Sequence, residues 1–323
     1  MKFIEVIRKY LPIWVAFSIL LALFVGYYEP EVRNLKLIIP FLLFLMLYPM
    51  MINLRVEDLS KALSNLKLVS IAIIMNFLFT PIIGAIWTHI FLKHTNPFLA
   101  IGFILKVTVP CSGMVTAWTG YAKGRIESAL IIVALSLILA IFLVPLWMWI
   151  LAGTYVTINA LIIFKKMLLI VVIPLIAGMS TRKLLIKKYG IKSYKQNIAP
   201  YFPAISTCGM LLMVFVIISS QAKLIISNIH WIILVIIGIA TLYPLLFAIA
   251  IIIAKLVHID YEDAIALGYS VTAKNHAITI GIATTTFGGT LAVLPAAVAP
   301  IIQIPVMLLY LNLSKKIKSF LSA

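Results

Sequence analysis

The sequence predicts an all-α polytopic membrane protein with ten transmembrane helices, and three observations support this class. Of its 323 residues, 64% are hydrophobic and only 11% are charged, whereas soluble domains carry about 25% charged residues. The mean hydropathy is +1.17. Apolar runs close to the ~20 residues that cross a bilayer recur along the whole chain.

The ten predicted spans follow these apolar runs in order. Their approximate bounds are 11–28, 36–52, 69–91, 98–122, 128–152, 161–179, 198–221, 231–254, 264–287 and 291–313. The first run resembles a signal peptide but lacks a small-residue cleavage site, so it is counted as the first span. Between spans two and three, Leu54, Leu59, Leu63 and Leu66 are separated by charged residues. This spacing predicts a short amphipathic helix at the membrane interface.

The basic residues predict how the spans are oriented. The chain has 26 Lys and Arg against 9 Asp and Glu, which gives a net charge of +17. With a cytoplasmic N-terminus, 18 of the basic residues fall in cytoplasmic segments and six in external ones, as the positive-inside rule requires. We therefore expect an integral protein of a prokaryotic cell membrane with both termini cytoplasmic. The lipid bilayer is the expected partner of this charge, and nucleic acid is not.

A weak internal repeat divides the chain into two halves, 1–152 and 153–323. Spans three and eight each carry a proline in mid-span, Pro81 and Pro244, and spans four and nine share the related stretches VTVPCSGM and VTAKNHAI. A repeat of five spans inverts the second copy, because five is odd. Inverted repeats with interrupted helices are typical of secondary transporters, with the substrate site where the interruptions meet.

Span four contains residues that interrupt a helix near its middle. Pro110 removes a backbone donor, and Gly113 adds backbone freedom three residues later. A half-helix that restarts here would present unpaired N–H groups near Cys111, Ser112 and Gly113. Counted from the start of the span, Lys106 lies roughly 12 Å deep, at about 1.5 Å per residue.

Span nine repeats this pattern with three consecutive polar residues, Lys274, Asn275 and His276. Thr272 and Asn275 are candidate N-caps for a second half-helix. Lys274 lies roughly 15 Å into the span, at about 1.5 Å per residue. Burial disfavours a charged amine, so Lys274, with Lys106, is a candidate group for coupling transport to protons.

Structural interpretations of the same residues stay open at this point. The two lysines can snorkel toward the interface or neutralise the carbonyl ends of the broken helices. Cys111 and Cys208 can be small apolar fillers, since both lie in apolar segments. That position also makes a disulfide framework unexpected.

The placement of the carboxylates narrows the choice of coupling ion. All nine lie outside the spans or at their edges: Glu5, Glu29, Glu31, Glu57, Asp58, Glu127, Asp260, Glu262 and Asp263. Sodium bound only by neutral oxygens beside a lysine would be poorly held. We therefore expect proton coupling or anion binding. No HExxH or GxSxG motif and no pair of intramembrane aspartates is present, so an enzyme and a cofactor are not expected.

Five stretches carry a resemblance to a known family: NFLFTPIIGAIW, PCSGMVTAWTGYAKG, IPLIAGMSTRKLL, YEDAIALGYSVTAKN and PAAVAPIIQIPVMLLY. Through them, spans two to ten resemble the bile acid:sodium symporter superfamily, and within it the arsenical-resistance (arsenite) permeases. The resemblance implies ten spans, an inverted five-plus-five repeat and crossed discontinuous helices four and nine. It also implies that Cys111 is functional, as a soft ligand for the metalloid trivalent arsenic.

The chain departs from that family at its acidic positions. Lys274, Asn275, His276 and Ala277 stand where those permeases have a motif ending in glutamate, and Gln303 replaces their acidic residue in span ten. We therefore expect a sodium-independent secondary transporter that exports arsenite by proton- or potential-linked alternating access. The alternative is a carrier of a small organic anion, a carboxylate, bound by Lys274 and Lys106. The sequence leaves the oligomeric state open.

Overall fold

The computed structural model describes residues 10–53, 65–288 and 290–322. The helices, numbered in chain order, are α1 Leu11–Tyr28, α2 Ile39–Ile52, α3 Leu66–Ile74, α4 Thr80–Leu92, α5 Pro97–Thr108, α6 Met114–Tyr121, α7 Ile126–Leu151, α8 Ala160–Met167, α9 Ile173–Tyr189, α10 Ile191–Ser193, α11 Tyr201–Ser220, α12 Ala222–Ser227, α13 Ile229–Leu256, α14 Tyr261–Thr272, α15 His276–Phe287, α16 Leu294–Asn312 and α17 Ser314–Ser322. Short 3-10 segments are Pro30–Ile38, Ala152–Thr154 and Leu291–Val293, and π-helical turns are Met75–Phe79, Leu168–Val172 and Tyr194–Ile198. The described ranges contain no β-strand.

Within the described residues, seven helical segments are long and apolar enough to cross a membrane. They are Leu11–Tyr28, Leu66–Leu92, Ile126–Thr154, Ala160–Tyr189, Ile191–Ser220, Ile229–Leu256 and Leu291–Asn312. The predicted all-helical membrane class is therefore confirmed.

In the described residues, predicted spans two, four and nine do not each correspond to one uninterrupted helix long enough to cross a membrane. Span two is the 14-residue helix α2, preceded by the 3-10 segment. Spans four and nine are each divided into two short helices, α5 and α6, and α14 and α15. Most of the predicted interfacial helix, with Leu54, Leu59 and Leu63, lies outside the described residues, and Leu66 begins α3.

The first helix shows the surface expected of a lipid-facing span. Ile13, Phe17, Leu20 and Phe24 are between 56% and 67% exposed, and their spacing of four, three and four residues places them on one face of α1. Val15, on the opposite face, is fully buried. An exposed stripe of large apolar side chains on one helix face fits a helix that packs on one side and meets lipid on the other.

Helices α1, α2, α9 and α11 pack against one another, and serine hydroxyls form hydrogen bonds between some of them. Ser18 Oγ on α1 donates to the carbonyl of Leu211 at 3.0 Å, and Ser206 Oγ on α11 donates to the carbonyl of Met46 at 2.5 Å. Small polar residues often hold membrane helices together in this way, because lipid offers their hydroxyls no partner. The broken helices lie in the other group, among α4, α7, α13 and α16.

A polar cluster ties the start of α14 to the starts of α3 and α7. The carboxylate of Asp263 accepts hydrogen bonds from Arg125 Nη1 at 2.5 Å, Ser128 Oγ at 2.6 Å and Asn65 Nδ2 at 2.7 Å. The side chain of Asp263 is only 5% exposed. Arg125 also pairs with Asp260, the N-cap of α14. The first half of the second broken helix is thus anchored at its first turn, at the end away from the interruption.

Replacing Asp263 by alanine is expected to lower the free energy of unfolding by roughly 3 kcal/mol, because three donors lose a buried acceptor. Replacing Asp260, whose side chain is 48% exposed, is the matched control and should cost about 1 kcal/mol as a lost N-cap. Thermal unfolding of the two purified variants measures the difference. Equal losses of stability would mean that the cluster around Asp263 does not anchor α14.

Candidate functional site

The first broken helix is interrupted between Thr108 and Met114. Val109 has extended backbone angles, φ −65° and ψ 158°, the conformation that a following proline favours. Pro110 has no N–H to continue the helical ladder. The chain then turns, and the Ser112 hydroxyl accepts a hydrogen bond from the Met114 N–H at 3.2 Å, which satisfies one of the free donors at the start of α6.

The second broken helix is interrupted between Thr272 and His276. Asn275 is the N-cap of α15, and its Oδ1 accepts from the N–H of Ile278 at 3.1 Å. Of the two candidate caps, Asn275 therefore has this role. Thr272 is instead the last residue of α14, where its hydroxyl donates back to the carbonyl of Gly268 at 3.0 Å.

The two interruptions pair with each other as a short antiparallel bridge. The N–H of Ser112 donates to the carbonyl of Ala273 at 2.8 Å, and the N–H of Asn275 donates to the carbonyl of Pro110 at 3.0 Å. These bonds satisfy backbone groups that the broken helices leave free, which is the condition for irregular backbone within a membrane protein. They also set Cys111 directly opposite Lys274.

Cys111 lies in the interior of the protein, with only 1% of its surface exposed. Its Sγ is 3.1 Å from the hydroxyl oxygen of Ser136 on α7. The other cysteine, Cys208, is only partly buried on α11 and is a free thiol as well. Cys111 is therefore the cysteine that shares its surroundings with a buried amine.

The amine of Lys274 contacts span three. Its Nζ lies 3.0 Å from the side-chain oxygen of Asn76 and 3.3 Å from the backbone oxygen of the same residue. Asn76 belongs to the π-helical turn between α3 and α4. The carbonyl that Lys274 reaches thus belongs to neither broken helix.

Lys106 is equally buried but has different surroundings. Its Nζ lies 4.1 Å from the ring centre of Tyr243 and 5.4 Å from that of Phe103, and no described residue accepts a hydrogen bond from it. A desolvated cation–π contact is worth about 2 kcal/mol, whereas burying an ammonium costs several kcal/mol. The aromatic rings therefore do not offset the cost of burying a fixed charge here.

His276, the first residue of α15, is buried. Neither ring nitrogen meets a hydrogen-bond partner within the described part of the chain. Gln303 accepts a hydrogen bond from the hydroxyl of Tyr243 at 3.0 Å. The amine of Lys106 and the ring nitrogens of His276 are thus buried polar atoms that no described residue satisfies.

The remaining predicted site residues are Asn275, Ser112 and Gly113. Asn275 is buried at the bridge, and its Nδ2 approaches the Met50 sulfur at 3.8 Å. Ser112 is also buried, but its hydroxyl caps α6. Gly113 is exposed, has an ordinary helical φ of −60°, and has open space where a Cβ would lie. Neither the backbone nor the packing thus requires glycine at this position.

Sequence reasoning missed two residues that contact the site, Asn76 and Ser136. Both line a small cavity of about 10 Å³ between span three and α7. A cavity of this size has room for roughly one water. Asn76 holds Lys274, and Ser136 contacts Cys111, so the cavity adjoins both. Asn76 gave a signal, as the single amide of an apolar span, whereas a lone serine such as Ser136 is common in membrane helices.

The chain is similar, over almost its whole length, to several proteins. Residues 40–228 match the model of the Sodium Bile acid symporter family. An uncharacterized transporter of Synechocystis sp. is 26% identical, over 97% of this chain and 89% of that protein. The arsenical-resistance protein Acr3 of Alkaliphilus metalliredigens is also 26% identical, over 98% of this chain and 94% of that protein.

A more distant relative comes from a plant. The probable sodium/metabolite cotransporter BASS1, chloroplastic, of Arabidopsis thaliana is 23% identical, over 92% of this chain and 71% of that protein. The family match covers more than half of the chain and includes α5, α6 and the π-helical turn at Asn76. On this evidence the chain is a membrane protein of the sodium bile acid symporter family, a family of transporters.

Proposed function

We propose that this chain is a secondary carrier that exports arsenite by alternating access, linked to protons or to the membrane potential and independent of sodium. The observation that carries the proposal is the pairing of Cys111 with Lys274 across the two broken helices. It places a soft ligand next to a buried amine. The name of the Alkaliphilus relative, an arsenical-resistance protein, supports the choice of substrate.

A thiol at this place suits a neutral arsenic hydroxide. The Cys111 sulfur replaces one hydroxide on As(OH)₃, and the thiol proton leaves with that hydroxide as water. The bound species is R–S–As(OH)₂, and water reverses the step. Because thiolates are the ligands that soft ions prefer, one cysteine gives a selective contact. A single bond also leaves the solute free to depart, which transport requires.

Within this proposal the chain has ten spans in two inverted halves, 1–152 and 153–323. The broken helices, α5 with α6 and α14 with α15, are the fourth span of each half. Their interruptions meet in an antiparallel bridge, the arrangement expected when an inverted repeat places its substrate site at the repeat interface. Cys111 and Ser112 from one half would then face Lys274, Asn275 and His276 from the other.

The proposal also assigns an orientation. Both termini lie in the cytoplasm of a prokaryotic cell, because basic residues concentrate in the segments on that side. The anchored cluster at Asp263 is then at the cytoplasmic end of α14. Arsenite would enter the site from that side and leave on the other.

The direct test is arsenite accumulation in everted membrane vesicles under an imposed pH gradient. Wild type is expected to accumulate arsenite, and Cys111→Ser is expected to reduce the initial rate at least about tenfold, because oxygen replaces the soft sulfur ligand. Cys208→Ser is the matched control and should retain the wild-type rate. Equal rates for all three proteins would remove Cys111 from the site.

Sodium is expected to have little effect. Replacing sodium by potassium at constant ionic strength should leave the rate of arsenite uptake within about twofold, since no carboxylate among the described residues lies at the site to complete a sodium shell. A steep rise of the rate with sodium concentration would contradict sodium-independent coupling.

A second candidate, a carrier of a small carboxylate, is favoured by one observation. Lys106 and Lys274 are both buried, and no salt bridge joins either to a carboxylate in the described ranges. Neutral As(OH)₃ does not need a buried amine, whereas the negative charge of a carboxylate is stabilised by one. Uptake of radiolabelled carboxylates that is lost in Lys106→Ala, with arsenite uptake absent in wild type, would select this candidate.

A further inference from the structure

One face of α9 is exposed and changes from apolar to basic along the helix. Ile173 and Ile176 are 57% and 60% exposed. Ser180, Lys183 and Lys187 follow them and are exposed as well. The spacing of three, four, three and four residues places all five on one face of the helix. The apolar part of this face therefore leads directly to its two lysines.

Contacts with α2 fix the orientation of α9. A Cβ on Gly178 would lie 2.7 Å from the backbone carbonyl carbon of Met51, so the two helices touch at this point. One turn later, the hydroxyl oxygens of Thr181 and Tyr48 lie 2.6 Å apart. Because these contacts hold the other side of α9 against α2, its exposed face stays on the outside of the protein.

The helical segment that contains α9 is longer than the apolar core of a bilayer. Ala160–Tyr189 has 30 residues, which span about 45 Å at 1.5 Å per residue, against a core of about 30 Å. Lys183 and Lys187 lie roughly 10 and 16 Å beyond Ile176 along the helix axis. A lysine at the end of a lipid-facing stripe can extend its amine to the level of the lipid phosphates.

The two lysines have no carboxylate to balance their charge. The sequence has no Asp or Glu between Glu127 and Asp260, and neither Lys183 nor Lys187 forms an ion pair with a described carboxylate. Two ammonium groups four residues apart on a helix repel each other. A phosphate placed between them would remove this repulsion and accept charge-assisted hydrogen bonds from both.

We propose that the exposed face of α9 binds an anionic phospholipid, with the phosphate between Lys183 and Lys187 and an acyl chain along Ile173 and Ile176. The lysines favour a headgroup with a net negative charge over a zwitterionic one, whose own amine already balances its phosphate. The apolar stripe favours a lipid over free phosphate. The site is local, whereas the positive-inside effect depends on the basic residues of whole loops.

The experiment measures thermal unfolding of the purified, delipidated protein in detergent micelles that contain phosphatidylglycerol or phosphatidylcholine at the same mole fraction. Phosphatidylglycerol is expected to raise the midpoint of wild type by about 3 °C over phosphatidylcholine, because a ligand stabilises the state that it binds. The double variant Lys183→Gln, Lys187→Gln should gain less than about 1 °C. Both side chains are exposed, so this variant is expected to fold.

The matched control is the double variant Lys192→Gln, Lys195→Gln. It removes the same charge from two exposed lysines that lie beyond α9. The helix ends at Gly190, whose φ of 78° turns the chain away from the helix axis. This control should keep the full response to phosphatidylglycerol.

Two further additions separate a lipid from its headgroup. Glycerophosphoglycerol has the phosphate but no acyl chains, and inorganic phosphate has neither chains nor glycerol. In phosphatidylcholine micelles, neither compound should raise the midpoint of wild type. A rise with either one as large as that with phosphatidylglycerol would identify a phosphate site and overturn the lipid site.

A response to phosphatidylglycerol that is lost in the Lys183 and Lys187 variant and kept in the control establishes the site. Equal responses in the two variants would show that the effect does not depend on this face of α9, and would overturn the proposal. The absence of any response in wild type would overturn it as well. These measurements require no transported solute, so their outcome is independent of the proposed function.

Discussion

Lys274→Ala is expected to abolish proton-linked transport while the protein remains folded. Removing an amine from a dry interior costs little stability when no counter-charge is left behind, and Lys274 has no carboxylate partner in the described ranges. It contacts Asn76 and lies opposite Cys111, the proposed ligand of the substrate. Arsenite uptake by everted vesicles is expected to fall at least about tenfold and to lose its dependence on the imposed pH gradient.

The control for this variant is Lys255→Ala, which removes a lysine near the end of α13 whose Nζ lies over the ring of Phe320. It should transport at the wild-type rate, with an unchanged dependence on pH. Thermal unfolding of both variants checks that they are folded. Wild-type flux with an unchanged pH dependence in Lys274→Ala would remove Lys274 from the coupling mechanism.

Gly102→Ala is expected to lower the free energy of unfolding by about 3 kcal/mol. Gly102 lies in the middle of α5, where a Cβ would come within 2.1 Å of the backbone oxygen of Ala292. A backbone atom cannot rotate away, so α5 or the segment before α16 has to move. Because α5 ends at the first interruption, this shift also displaces Cys111 from Lys274.

Gly153→Ala is the matched control for Gly102→Ala. No atom lies within 4 Å of a Cβ built on Gly153, so the substitution should change the free energy of unfolding by less than about 0.5 kcal/mol. Thermal unfolding and the yield of monodisperse protein report on both variants. Wild-type stability of Gly102→Ala would show that α5 does not pack as closely as this against the segment at Ala292.

Much of the fold could be predicted from the sequence, because single residues decide where some helices begin and end. Pro110 cannot continue a helix, and α5 ends two residues before it. Asn275 is a good N-cap residue, and α15 begins directly after it. Helix lengths were harder to predict, since hydropathy marks only the part of a helix that lies in lipid. The span predicted at 161–179 is part of a continuous helical segment, Ala160–Tyr189, whose last residues are rich in lysine and arginine.

The candidate site was harder to predict from the sequence, because its contacts join distant parts of the chain. Lys274 and Asn76 are separated by 198 positions, and no local pattern predicts which amide a buried lysine will reach. The sequence offered the carbonyl ends of the broken helices as partners for Lys274, whereas the structure gives it a carbonyl in span three. That carbonyl is available because the N–H of Thr80 donates to Met75 in the π-helical turn and Pro81 has no N–H to replace it. The sequence indicated Pro81 only as one member of the repeat.

The most direct test of the central claim, that arsenite binds Cys111, is the protection of this thiol from alkylation. In a Cys208→Ser background, Cys111 is the only cysteine of the chain, so labelling by N-ethylmaleimide reports on it alone. Arsenite at increasing concentration is predicted to slow the labelling in a saturable manner, and Lys106→Ala should preserve this protection. A labelling rate that does not change with arsenite would contradict the account and leave Cys111 as a packing residue.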